Sequence, residues 1–313
     1  MRSKILAAAL FAAPIILTTA GSAFAGYSVQ TVLDPTGNNF INLLGINDSG
    51  KVAGFDNQGF TLTLPNTFTA VNFPGAAITQ VTAINNAGSV AGIYTDAAGN
   101  NHGFTEIGGV FKTVDNPAST VFNQALGINN ANNTVGYYAP TVAGSTNQIA
   151  YSQSGGVFTN INALLPSNVN SQAVGINSVN AIVGFFQPTT TTSIGFLDAA
   201  GKITQIDPLG SAFTQALGIN GLGEIVGVYT DAAGVQHGYI DNNGVFTTFD
   251  PAGSTSTTIN GVNNLGQIVG FYSTANGATV GFVGSPVPEP TAPIAIALGG
   301  LLAVRLTRRS KPA

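Results

Sequence analysis

Residues 29–35 read Val29-Gln30-Thr31-Val32-Leu33-Asp34-Pro35, and residues 245–251 read Val245-Phe246-Thr247-Thr248-Phe249-Asp250-Pro251. Both are strand-like stretches that end in Asp-Pro. The second closes a sequence repeat, whereas the first stands alone, ahead of the first repeat. The last repeat stops at Gly281-Phe282-Val283 and lacks this strand. A chain that supplies one unit from both of its ends closes a ring and leaves no unpaired seam. We therefore expect an all-β, six-bladed β-propeller closed by N- and C-terminal strands. The alternative is an open β-solenoid, which would not need the split repeat.

Outward from that split, one motif occurs six times: Leu43-Leu44-Gly45-Ile46-Asn47, Val81-Thr82-Ala83-Ile84-Asn85, Ala125-Leu126-Gly127-Ile128-Asn129, Ala173-Val174-Gly175-Ile176-Asn177, Ala216-Leu217-Gly218-Ile219-Asn220 and Ile259-Asn260-Gly261-Val262-Asn263. From one Ile or Val to the next the intervals are 38, 44, 48, 43 and 43 residues, the range of propeller blades. Each unit reads as four strands. The first ends at Ile-Asn and turns through Asn-x-x-Gly/Asn at Gly50, Gly88, Asn132, Asn180, Gly223 and Gly266, residues that tolerate a left-handed backbone. The second, such as Ile268-Val269-Gly270-Phe271, is apolar on both faces, as in a sheet packed between two neighbours. The third carries an aromatic column of Phe60, Phe104, Tyr151, Phe196, Tyr239 and Phe282. The fourth ends in the Asx column Asp34, Asn72, Asp115, Asn162, Asp207 and Asp250, expected to start the connecting loops and to diverge around the rim.

Composition agrees with turn-rich β structure. Charged residues make up 7% of the chain and Gly 40 of its 313 residues, against about 25% and about 7% in ordinary globular chains. No Cys is present, which removes disulfides, thiolate nucleophiles and thiolate metal sites.

The ends read as addresses. Residues 1–25 have a basic start, an apolar run through Leu10, Phe11, Ile15, Ile16 and Leu17, and an Ala23-Phe24-Ala25 close, the pattern of a secretory signal peptide cleaved after Ala25. Residues 26–285 form the repeat domain and 286–313 a tail. In the tail, Pro286-Val287-Pro288-Glu289-Pro290 precedes an apolar run from Thr291 to Val304, followed by Arg305, Arg308, Arg309 and Lys311. The run is shorter than the roughly 20 residues of a full span, and its basic end would lie on the cytoplasmic side. With the ends set aside, three lysines (Lys51, Lys112, Lys202) stand against twelve acidic residues, a formal charge of −9. Nucleic acid and anionic lipid are poor partners for such a surface.

This tail resembles the PEP-CTERM sorting signal of Gram-negative bacteria. The resemblance implies an exosortase-type sorting enzyme as partner, cleavage near Pro288 to Pro290, transient inner-membrane association through the tail, and delivery to the cell surface or extracellular matrix. The repeats resemble HAF-type extracellular repeats, through the Gly-Ile-Asn-Asn-x-Gly-x-Val-Val-Gly-Tyr-like segment and through His102-Gly103-Phe104 and His237-Gly238-Tyr239. Gln58, Ile149, Ile194 and Val280 depart from that pattern where it has His. The resemblance implies an exported repeat protein and brings no catalytic residues.

Catalytic candidates are few. The two histidines occupy one column that elsewhere accepts Ile or Val, so they read as partly buried strand positions, and no Ser-His-Asp triad can be built on them. A glycosidase needs two facing carboxyls, and the core's Glu106 and Glu224 have no matching partner. Sialidase-type recognition of a carboxylate would call for Arg, and residues 26–285 contain none. Asp96 and Asp231 lie in Thr-Asp-Ala-Ala-Gly loops; calcium would suit their oxygens, but one carboxylate per loop reads as a turn. No metal, cofactor or catalytic residue is expected. The expected function is non-enzymatic binding or structure, with extracellular polysaccharide engaged through the propeller face; a polysaccharide hydrolase or lyase is the alternative. The expected ligand ring is Asn42, Gln80, Gln124, Gln172, Gln215 and Thr258, where the inner strands begin at the face of longer loops. Amides there offer donors and an acceptor to sugar hydroxyls.

Overall fold

The computed structural model describes residues 23–24, 26–33, 40–140, 147–167, 169–211 and 213–287. Most of the expected signal peptide, the Asp34 of the Asx column and residues 288–313, with Pro288, Glu289, Pro290, Arg305, Arg308 and Arg309, lie outside these residues. Ala23 and Phe24, inside the expected leader, pair with Ser28 and Tyr27.

Six antiparallel sheets follow one another around an axis. Blade 1 holds Asn42–Ile46, Lys51–Phe55, Gly59–Thr63 and Thr67–Ala70. Blade 2 runs from Ile78–Ile84 to Val110–Val114, blade 3 from Asn123–Ile128 to Val157–Asn160, blade 4 from Asn170–Ile176 to Lys202–Ile206, and blade 5 from Phe213–Ile219 to Val245–Phe249. Blade 6 takes Ser254–Val262, Ile268–Thr274 and Thr279–Pro286 from the C-terminal side and Tyr27–Val32 from the N-terminal side. Tyr27 pairs with Pro286, Val29 with Gly284 and Val32 with Gly281. The split repeat therefore closes a propeller, and the solenoid alternative is set aside.

Strand direction divides the molecule into two faces. Turns joining the first to the second strand and the third to the fourth lie on one face, the turn face. Connections between the second and third strands, and between blades, lie on the other, the loop face. The last residue of each Asn-x-x-Gly/Asn turn has a positive φ, from Asn132 at 60° to Gly223 at 87°, which explains why only Gly and Asn fill that column.

Two columns explain how the blades pack. The aromatic column is buried throughout, with Phe104, Tyr151, Phe196, Tyr239 and Phe282 all at 0% exposure. In the second strands a Cβ on Gly54, Gly92, Gly136, Gly184, Gly227 or Gly270 would overlap the carbonyl oxygen of Asn42, Gln80, Gln124, Gln172, Gln215 or Thr258 respectively. Each inner strand also shifts register within its motif, as between Ala216 and Gly218, and Ser254–Val262 shifts a second time between Ser254 and Ser256. The motif's bulge brings the inner strand over the second one, and glycine is the residue that leaves room for it.

Candidate functional site

The axis is built from the six repeats of the Ile-Asn motif. The motif's Asn residues are buried, at 3–6% exposure, and each ties its own turn to the next blade. Nδ2 of Asn47 donates to the carbonyl of Asn85 (3.1 Å), Asn85 to Asn129 (3.0 Å), Asn129 to Asn177 (3.1 Å), Asn177 to Asn220 (3.1 Å), Asn220 to Asn263 (3.0 Å) and Asn263 back to Asn47 (2.9 Å). Each Oδ1 accepts two backbone N–H groups of its own turn; for Asn263 these come from Leu265 (3.0 Å) and Gln267 (2.9 Å). Each amide is thus bonded through both its oxygen and its nitrogen, a closed belt of six side chains. One residue further on, Asp48 accepts from Asn264 N (2.8 Å), Asn264 Nδ2 (2.7 Å) and Asn86 Nδ2 (2.7 Å). Burial pushes the Asp48 carboxyl up, but the bonds from Asn264 and Asn86 outweigh it and hold it below the ordinary carboxylate value.

Above this belt lies an axial cavity of about 170 Å³. Its wall is made by the bulged residues Leu44, Thr82, Leu126, Val174, Leu217 and Asn260 together with the small residues beside them. Thr82 Oγ1 donates within hydrogen-bond reach of the Ala125 carbonyl (2.8 Å), and Asn260 Nδ2 donates to Leu43 across the closing seam (2.9 Å). The cavity is mainly apolar and carries no titratable group.

The ring expected from the sequence lies at the loop-face ends of the same strands. Asn42, Gln80, Gln124, Gln172, Gln215 and Thr258 are all half-buried and none of them lines the axial cavity. Gln172 Nε2 donates to Gln148 Oε1 (2.7 Å), a residue of the preceding interstrand connection. Asn42 Oδ1 is buried with no hydrogen-bond partner.

Two further clusters occupy the loop face, each joining a histidine, a turn aspartate and a member of the Asx column. His102 Nδ1 stands 2.7 Å from Asp115 Oδ2 and its Nε2 3.3 Å from Asp96 Oδ2. His237 repeats the arrangement with Asp250 (2.6 Å) and Asp231 (3.3 Å). Burial would depress the His102 imidazolium, but hydrogen bonds and charge from Asp115, then Asp96, outweigh it and raise its pKa. His237 is raised in the same way by Asp250 and Asp231. Asp96 is held at about 2, chiefly by the side chain and backbone N–H of Asn100. Asp96 and Asp231 do form the expected turns, accepting backbone N–H groups two and four residues on. Two members of the Asx column, Asp115 and Asp250, turn back toward the third strand of their own blade. In blade 1 the equivalent pair is neutral, Asn72 Nδ2 donating to Gln58 Oε1 (3.4 Å). The signal was present as the identical 96/102/115 and 231/237/250 spacing. Both imidazole nitrogens are engaged, so each histidine ties a loop to the end of the fourth strand. Among the described residues no group of three or more His, Cys, Asp or Glu is placed to hold a metal ion.

No family model matches the chain, and no curated protein matches it. Its similarities are to solved structures. A gluconolactonase from Xanthomonas campestris is 10% identical, with 84% of this chain and 90% of that one covered and a TM-score of 0.51. TolB from Acinetobacter baumannii is 9% identical, covering 86% of this chain and 66% of that one, at a TM-score of 0.50. A mutant Aleuria aurantia lectin in complex with Fucα1-6GlcNAc is 11% identical, covering 80% and 97%, at 0.44. At these identities the likeness is one of fold. The chain is a six-bladed β-propeller whose axis is laced by an asparagine belt and whose loop face carries paired Asp-His-Asp clusters.

Proposed function

We propose that this chain is an exported, surface- or matrix-associated binding protein of a Gram-negative bacterium, engaging neutral extracellular polysaccharide through its loop face without turning it over. Its tail is read by an exosortase-type sorting enzyme and enters the inner membrane transiently. The observation that carries the binding reading is the charge and chemistry of the loop face. Amides and hydroxyls cluster at the inner-strand ends. Asp56, Asp96, Asp115, Asp207, Asp231 and Asp250 surround them, with no Lys or Arg among the described residues of that face. Neutral sugars meet hydrogen-bonding groups there, while uronate-rich polymers meet repulsion that salt would screen. Both histidines are committed to aspartates, which argues against their use as general bases.

The test is calorimetry of the chain with a neutral polysaccharide and with a uronate polymer, at low and high salt, alongside an assay for released reducing ends or unsaturated products. Binding of the neutral polymer without product release is expected. Release of product would favour the hydrolase or lyase alternative, and preference for the uronate polymer would overturn the electrostatic reading.

A further inference from the structure

On the turn face, three adjoining turns expose aliphatic side chains. In blades 4, 5 and 6 the third residue of the Asn-x-x-Gly/Asn turn is Val179, Leu222 or Leu265, exposed by 74%, 70% and 63%. Blades 1, 2 and 3 put Ser49, Ala87 and Ala131 at that position. The three apolar residues sit on adjoining turns, because Asn177 and Asn220 tie those turns together through the belt. Val245, at the outer hairpin of blade 5, is exposed by 69% on the same face, as Val110 and Val157 are at the equivalent hairpins of blades 2 and 3. Single exposed aliphatics are ordinary, but three on adjoining turns of one face mark a contact surface.

The chain also leaves the propeller there. The strand Thr279–Pro286 runs toward the turn face, and a Cβ on Gly266, next to Leu265, would come within 3.1 Å of Pro286 Cγ. Val287 follows, exposed by 43%. Four residues later the apolar run Thr291 to Val304 begins, a span of at most about 14 Å even when fully extended. The chain therefore leaves the described propeller on the turn face, beside the Asn263–Gly266 turn. The turn face is also less acidic than the loop face: Lys51 and Lys202 follow its turns directly, among Asp48, Glu106, Asp198, Glu224 and Asp241.

We infer that the sector Val179, Leu222, Val245 and Leu265 is a lipid-facing surface, seating the propeller on a bilayer with its loop face outward. The inference rests on the reading of the tail as a membrane segment. An apolar cap of this kind enters only the interfacial layer, about 5–10 Å deep. The acidic total charge favours a zwitterionic surface over an anionic one.

The sequence contains no Trp, so a single introduced Trp reports its surroundings without background. The full chain carrying Leu222→Trp is mixed with phosphatidylcholine vesicles, and Val235→Trp on the loop face serves as the reference. Trp emission at position 222 should shift to the blue and be quenched by bromine-labelled lipid, with position 235 unchanged. Leu265→Trp reports the same contact from the adjoining blade should the first variant misfold. Chain that sediments with vesicles while position 222 stays solvated overturns this inference and leaves the tail reading standing. Failure to sediment overturns both. A blue shift without vesicles also overturns it, assigning the surface to a second copy if it grows with protein concentration and to the chain's own tail if it does not.

Discussion

Asn263 Nδ2 donates to the carbonyl oxygen of Asn47 at 2.9 Å, joining residues 216 positions apart and closing the belt between blades 6 and 1. The same side chain accepts the N–H groups of Leu265 and Gln267. Asn263→Ala would remove the inter-blade bond and leave two backbone donors of its turn without their side-chain acceptor. Each such loss costs about 1–3 kcal/mol, so a destabilisation of about 2–4 kcal/mol is expected in denaturant unfolding. Asn129→Ala, at an internal seam, should cost about as much. A change below about 0.5 kcal/mol at both positions would mean that the belt contributes geometry and no stability.

Closure by the N-terminal strand makes a separate prediction. Tyr27–Val32 pairs along its whole length with Thr279–Pro286, and Val32 belongs to the apolar cluster shared with Ile41, Leu43 and Val283. Deleting residues 27–33 would strip one edge of blade 6 and expose paired-strand N–H and C=O groups. Concentration-dependent aggregation in light scattering and a lowered melting temperature are expected. A truncated chain that stays monomeric with unchanged melting would show that blade 6 is complete without that strand.

Gly227 tests the close approach inside a blade. A Cβ there would overlap the Gln215 carbonyl oxygen and come within 2.8 Å of the Tyr239 ring, and neither backbone nor a fully buried ring can yield cheaply. Gly227→Ala is expected to destabilise by about 3 kcal/mol or more, at the upper end of overpacking costs. Gly234→Ala is the contrast: nothing lies within 4 Å, but its φ of 84° should limit the penalty to about 1 kcal/mol of backbone strain. Equal effects at the two positions would contradict the packing argument.

The Asp-His-Asp clusters give the loop face a pH dependence whose sign follows from the two shifts. The imidazoliums of His102 and His237 are favoured by the fold. Their contribution is complete below the unfolded value of about 6.5 and is lost as pH rises through the raised folded value. Asp96, held at about 2, contributes above the ordinary carboxylate range and loses that contribution as pH falls toward about 2. The loops should be held tightest between about pH 4 and 6.5. Hydrogen exchange at Asn100 and Gly103, corrected for intrinsic rates, should show protection falling above neutral pH. His102→Gln, imitating the neutral Gln58–Asn72 pair, should remove that fall, and a wild-type chain with flat protection from pH 6 to 9 would refute the staple.

The blade count, the positive-φ turns and the split repeat were legible because they depend on residues within one repeat, recurring at a fixed interval. Gly223 and Asn180 announce their turns by type alone. What stayed hidden depends on contacts between repeats or on strand pairing. Asn220 reads as a turn residue, and nothing within its own repeat shows that its Nδ2 reaches Asn263 in the next. The bulge that swings Leu217 into the axial cavity leaves no mark beyond the adjacent Gly218. His237 and Asp250 are 13 residues apart, and only the register that pairs Gly238 with Phe249 brings them together.

The last prediction concerns the amide ring. Gln172 is half-buried and bonded to Gln148 at 2.7 Å, so its amide is held in one orientation at the loop-face end of the inner strand. A fixed amide loses little freedom on binding, which favours recognition of a sugar hydroxyl. Removing it costs about 1 kcal/mol of side-chain hydrogen bonding, little enough for the propeller to remain folded. Gln124→Ala combined with Gln172→Ala is therefore expected to weaken binding of the neutral polysaccharide by at least about tenfold, or about 1.4 kcal/mol, with near-native melting. Gln148→Ala should give an intermediate loss, because it frees the Gln172 amide without deleting it. Calorimetric titration alongside thermal unfolding separates the outcomes. Unchanged affinity in the double variant, or a fold lost together with the affinity, would assign these amides to structure alone.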